Sequence, residues 1–115
     1  MSAGEGNLIS GNGANGSQGI IISLANNNYI RGNIIGPAAG GNSVLTSGAS
    51  TGIGIGVSFC SGNRIGSSNP DHRNIISANS GSGIQFNGAG TTGNYVQGNY
   101  IGIGTNGLEI ASAAQ

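Results

Sequence analysis

The chain has 115 residues, enough for one domain of ordinary size, and only 5 % are charged and 4 % aromatic. Gly numbers 25, Trp is absent and net charge is zero, so neither a core of large side chains nor a charge-driven disordered chain fits, and the glycines lack the period of three of collagen. No Lys occurs and the three Arg residues form no run, which argues against nucleic acid and a polybasic membrane patch; no stretch approaches the roughly 20 apolar residues of a membrane helix.

In chain order, residues 1–6 read as an N-terminal tail, without the basic and apolar regions of a secretory signal. Repeats begin at Asn7-Leu8-Ile9-Ser10. Three phrases follow: Gly19-Ile20-Ile21-Ile22, then Asn28-Tyr29-Ile30, then Asn33-Ile34-Ile35-Gly36. They return in the same order as Gly54-Ile55-Gly56-Val57, Asn63-Arg64-Ile65 and Asn74-Ile75-Ile76-Ser77. A third set is Gly83-Ile84-Gln85-Phe86, Asn94-Tyr95-Val96 and Asn99-Tyr100-Ile101-Gly102. Residues 108–115 read as a C-terminal loop or tail.

The spacing is regular at two levels. Asn28 to Asn94 is 94 − 28 = 66, Asn33 to Asn99 is 99 − 33 = 66, and Asn7 to Asn74 is 74 − 7 = 67. The intermediate copy Asn63 stands at 63 − 28 = 35. A long repeat of about 66 residues therefore holds two rungs with loops of unequal length.

Each phrase is too short for a helix, alternates with period two and is bounded by Gly, Asn or Ser. Three such strands per rung stack in parallel at about 4.8 Å. The alternation predicts three buried columns. One holds Ile20, Ile22 and Leu24 over Ile55, Val57 and Phe59, then Ile84 and Phe86. The second holds Ile30, Ile65 and Val96; the third Ile9, Ile35, Ile76 and Ile101. Two further columns are Asn28, Asn63 and Asn94, and Asn7, Asn33, Asn74 and Asn99. An Asn after a turn tolerates φ > 0 and bonds neighbouring amides, so these are read as structural ladders. Asn12-Gly13, Asn15-Gly16, Asn87-Gly88 and Asn106-Gly107 carry turn chemistry between strands.

Asn7-Leu8-Ile9-Ser10-Gly11-Asn12, Gly83-Ile84-Gln85-Phe86 and Asn94-Tyr95-Val96-Gln97-Gly98-Asn99-Tyr100-Ile101-Gly102 resemble the repeats of pectin-lyase-like proteins, most closely the arrays of bacterial secreted and surface proteins. The resemblance covers about Asn7 to Gly107. Pattern and resemblance together predict an all-β, single-stranded right-handed parallel β-helix of about three rungs over residues 7–107. The resemblance implies an extracellular or cell-surface setting. It is specific for fold and weak for function, because the superfamily spans lyases, hydrolases, adhesins, tailspikes and inert spacers.

Lyases on this fold use an acidic Ca²⁺ cluster and a basic residue; the related hydrolases use neighbouring carboxylates. Here the carboxylates are Glu5, Asp71 and Glu109, scattered in loops or near the ends. Glu5 and Asp71 lie 71 − 5 = 66 residues apart, two rungs, which is roughly 10 Å at minimum for like positions. Asp71-His72-Arg73 admits a His polarised by Asp, but a solvated loop leading into the next strand is the stronger reading. Cys60 aligns with Ala25 and reads as a small, partly buried residue at a strand end; alone, it forms no internal disulfide. No catalytic residue, metal site or cofactor is expected.

The outward positions Tyr29, Arg64 and Tyr95 form the one candidate binding face, with Arg31 and Gln97 alongside and Tyr100 on the next face. Such a face suits sugar rings; stacking within the molecule is the stronger reading. No amphipathic helix closes either end, and Leu108-Glu109-Ile110 falls where Ser43-Val44-Leu45 stood earlier. Bare ends invite more strands. The expected function is therefore a non-catalytic structural segment that self-associates through its ends. The alternative is a carbohydrate-binding or carbohydrate-active module with polysaccharide as partner.

Overall fold

The computed structural model describes residues 6–12, 17–43 and 52–108. It is all-β. Among the described residues ten strands run in chain order: β1 (Leu8–Ile9), β2 (Gln18–Ser23), β3 (Tyr29–Ile30), β4 (Ile34–Ile35), β5 (Ile53–Ser58), β6 (Arg64–Gly66), β7 (Ile75–Ile76), β8 (Ile84–Asn87), β9 (Tyr95–Gln97) and β10 (Tyr100–Ile101). Among the described residues the one helical piece is a 3₁₀ turn at Pro70–His72.

The strands form three parallel sheets. Sheet A has the order β1-β4-β7-β10, sheet B β2-β5-β8 and sheet C β3-β6-β9. Every strand pairs with the strand three places away in sequence, so the chain visits B, C and A cyclically. One such visit is called a turn below.

Like residues stack on like. Ile20 pairs with Ile55 and Ile55 with Ile84; Ile22 pairs with Val57 and Val57 with Phe86. Ile30, Ile65 and Val96 are in register, as are Ile9, Ile35, Ile76 and Ile101. Ile22, Ile30, Ile35, Ile55, Val57, Cys60, Ile65 and Ile76 form the buried core. Each such aliphatic side chain contributes roughly 1.5–3 kcal/mol on burial, and β-branched chains fit this pleated surface well.

Two members of the expected first column lie elsewhere. Leu24 and Phe59 are 81 % and 55 % exposed. Both follow the last residue of their strands, with φ of 54° and 52°. A left-handed residue ends the strict alternation, so the side chain swings outward instead of inward. The third turn has Gly88 at this corner, φ 88°, and the Phe59 ring lies against the space where its Cβ would be.

The ladder asparagines also differ from expectation in one respect. None has positive φ; for five of the seven the residue before it does. Asn27, Gly32, Gly62, Gly93 and Gly98 have φ of 61°, 69°, 71°, 63° and 70°, each directly ahead of Asn28, Asn33, Asn63, Asn94 or Asn99. The left-handed residue makes the corner, which frees the following Asn to begin a strand. Asn74 follows the longer 67–73 connection, and there Arg73 has φ −63°.

The two-turn period has a structural basis in sheet A. Its strands are followed directly by Ser10, Gly36, Ser77 and Gly102 in turn, serine and glycine alternating. The Ser10 hydroxyl donates to the Pro37 carbonyl, and the Ser77 hydroxyl donates to the Ile103 carbonyl at 2.6 Å. Each serine thus reaches the residue after the glycine of the next turn. Gly36, at φ 107°, has the Ser77 carbonyl oxygen where a Cβ would stand. The loops after the glycines match each other as well. Ala38 N–H donates to Ser43 O and Gly41 N–H to Ala38 O; Gly104 N–H donates to Leu108 O and Gly107 N–H to Gly104 O. These two loops touch directly: Thr105 N–H donates to Gly41 O, Thr105 Oγ1 to Gly40 O and Asn106 N–H to Asn42 Oδ1. Val44, Leu45, Glu109 and Ile110 lie outside the described residues.

Candidate functional site: an arginine–tyrosine face between two asparagine ladders

The outer face of sheet C carries the expected row. Tyr29 pairs in register with Arg64, and Arg64 with Tyr95. Tyr29 is 60 % and Tyr95 55 % exposed, so both rings face outward while Ile30 and Ile65 face the core. The stacking differs from a simple Tyr-Arg-Tyr sandwich. Arg64 lies over Tyr95 at 4.5 Å from the ring centre, but Tyr29 is covered by Arg31 at 4.3 Å. A third pair extends the face around the corner: Arg73 lies over Tyr100 at 4.2 Å and its Nε donates to Gly98 O at 3.0 Å.

All three arginines of the sequence are thus seated on all three tyrosines. Arg31 and Tyr29 are two residues apart, which puts them on one side of the chain. Arg64 and Tyr95 are register partners. Arg73 stands two residues before Ile75, the register partner of Tyr100. Sequence spacing could have found the first and third pairs; only the Arg64–Tyr95 neighbourhood was read from it. Guanidinium over an exposed ring contributes about 0.5–1 kcal/mol.

The ladders flank this face. In one, Asn7 donates its backbone N–H and Nδ2 to Asn33 Oδ1, Asn33 donates both to Asn74 Oδ1, and Asn74 donates both to Asn99 Oδ1. In the other, Asn28 donates both to Asn63 Oδ1 and Asn63 both to Asn94 Oδ1. The second amide proton returns to the backbone: Asn63 to Ala25 O, Asn74 to Ile30 O, Asn94 to Cys60 O and Asn99 to Ile65 O. Asn63 and Asn74 are fully buried, and this bonding removes the cost of burying their amides.

The Asp71-His72-Arg73 cluster is a loop turn. Asn69 caps it by accepting from Asp71 N–H, Asp71 is exposed, and His72 Nδ1 meets Ser67 Oγ at 2.7 Å. Gly32 N–H donates to His72 O, and Arg73 leaves for Tyr100, so the loop is stitched to the turns on both sides. Cys60 is buried in the core, with Sγ 3.7 Å from Ile22 O, deeper than the partly buried place its alignment with Ala25 suggested. Glu5 and Glu109 lie outside the described residues. Among the described residues no three His, Cys, Asp or Glu side chains are grouped to hold a metal. Among the described residues no helix is long and apolar enough to cross a membrane.

At the N-terminal side an open concavity of about 320 Å³ is lined by residues of β2 and β3, including Ile20, Ile22, Asn28 and Ile30. Here β2 and β3 are the edge strands of sheets B and C. No family model, no curated protein and no solved structure matches the chain.

Proposed function

We propose that the chain is a stretch of right-handed parallel β-helix serving as a non-catalytic structural element of an extracellular or cell-surface protein. The supporting observation is the state of the inward columns. They run unbroken through every turn, fully buried at Ile35, Ile65 and Ile76, and are open at the last turn, where Phe86, Val96 and Ile101 are each 42 % exposed. An end of that kind presents apolar side chains and strand edges together, a surface made for more strands. The resemblance of the repeat phrases to pectin-lyase-like arrays supplies the extracellular setting.

A second reading, a carbohydrate-binding or carbohydrate-active module of that family, has the exposed Tyr29, Arg64 and Tyr95 in its favour. The pairing of each ring with a guanidinium favours the first reading, because one face of each ring is already covered. Hydrogen exchange and a glycan panel together test the choice. The structural reading expects slow exchange at Ile65 and Ile76, fast exchange at Val96 and Ile101, and no glycan retained. Retention or cleavage of a defined oligosaccharide, abolished in Tyr95→Ala, overturns it.

A further inference from the structure

The open end has a specific chemistry. Along both ladders each Asn sends its backbone N–H to the Oδ1 of the Asn one turn later. Asn94 and Asn99 end the ladders, and no described residue receives their backbone N–H. The end therefore offers two aligned donors beside three exposed apolar side chains, Phe86, Val96 and Ile101. A turn that covers it must bring an Asn at the head of its sheet-C strand and another at the head of its sheet-A strand.

The serine–glycine alternation restricts that turn further. The Gly36 strand is followed by the Ser77 strand, whose carbonyl oxygen fills the space of the missing Cβ. Serine strands are followed by glycine strands, whose next carbonyl takes the serine hydroxyl. The last described strand, β10, is of the glycine kind, followed by Gly102. The loop after it already rests on the loop two turns earlier through Thr105 and Asn106. A second glycine-kind strand directly beneath would put another such loop one turn away, in the layer where the shorter 77–82 connection belongs.

A second copy of the chain meets a different obstacle, one of strand number. Sheet A has four strands where sheets B and C have three. Placing a copy's β2 under β8 and its β3 under β9 brings its β1 onto the place of β10. Placing its β1 under β10 leaves sheets B and C each one strand short.

Resting on the structural reading above, we propose that the C-terminal end face receives one further parallel turn of the serine kind, with Asn at both strand heads, and not a direct copy of residues 6–108. The partner is thus a segment of three successive strands, one for each sheet, ending in Asn-x-Ile-Ser.

Two chimaeras that each add one turn test this. The in-phase chain repeats residues 44–77 after Leu108, adding a turn that ends at Ser77. The out-of-phase chain repeats residues 78–108 after Gly102, adding a turn that ends at Gly102. The in-phase chain is expected to slow exchange at the Asn94 and Asn99 amides at least ~10-fold and to raise Tm by roughly 5 °C. The out-of-phase chain is expected to do neither. Equal protection in both chimaeras overturns the phase rule while leaving the structural reading intact. An in-phase chain that does not fold, or melts no higher than the natural one, overturns the proposal. Light scattering on the natural chain adds a third arm: a dimer with both amides protected overturns the exclusion of a direct copy. Failure of the structural reading looks different, as glycan retention or fast exchange throughout the natural chain's own sheets.

Discussion

The middle turn and the last turn are built from nearly the same residues and differ in what lies beneath them. Ile65 is fully buried and Val96, one turn on in the same column, is 42 % exposed. Asn74 gives and receives ladder bonds on both sides, whereas Asn99 receives from Asn74 and has no described Asn beyond it. In such a stack a residue's contribution is set by its neighbours above and below more than by its identity, as in a one-dimensional chain of coupled units.

The comparison can be broken hardest at the glycines. Gly36→Ala places a Cβ on the Ser77 carbonyl at φ 107°, and a loss of about 4 kcal/mol is expected in urea unfolding. Gly90→Ala, also at positive φ but with nothing within 4 Å, is expected to lose only about 1 kcal/mol. Equal losses at the two positions would show that backbone strain, and not close approach between turns, sets the effect.

Core truncation comes next. Ile65→Ala is expected to lose about 3–4 kcal/mol by creating a cavity, and Val96→Ala less than about 1 kcal/mol. Thermal melts of the pair check whether the last turn is as uncovered as its exposure implies. For the ladders, Asn74→Ala strands the N–H of Asn33 and should lose about 2–3 kcal/mol, with Asn99→Ala losing about half of that. Amide exchange at Asn33 reports the stranded donor directly. The smallest effect is expected on the outer face: Arg64→Ala should cost under about 1 kcal/mol, with little further change when Tyr95→Ala is added. A coupling energy well above 1 kcal/mol in that double-mutant cycle would move the face from stiffener to principal support.

The parallel register was legible because like stacks on like. Each Ile or Val column, and each Asn column, recurs at one position of one phrase, and alternation names the inward side. The corners were less legible. Leu24 and Phe59 continue the alternation in sequence, and only the left-handed backbone after Ser23 and Ser58 turns them outward. The Ser/Gly difference between phrases was visible as letters, but its meaning lies in hydroxyl–carbonyl contacts across turns, which no single phrase contains. On the candidate face, Tyr29, Arg64 and Tyr95 were read as one row, and the row exists. The two-residue spacing puts Arg31 beside Tyr29, but that Arg31 and not Arg64 covers the ring depends on side-chain conformation.

The ladders also give the stack an electrical direction. Every Asn side chain between the first and the last points its oxygen back to the preceding turn and an N–H on to the next. Backbone N–H and C=O groups of successive strand residues point alternately up and down the stack and largely cancel, but these side-chain amides are aligned head to tail and add. Two parallel files of amide dipoles therefore run along the axis, with their positive ends at Asn94 and Asn99, as peptide dipoles sum along an α-helix. In a molecule whose formal charge is zero, these two files contribute partial positive charge at one end and partial negative charge at the other, their direction set by the order in which the asparagines hand on their hydrogen bonds.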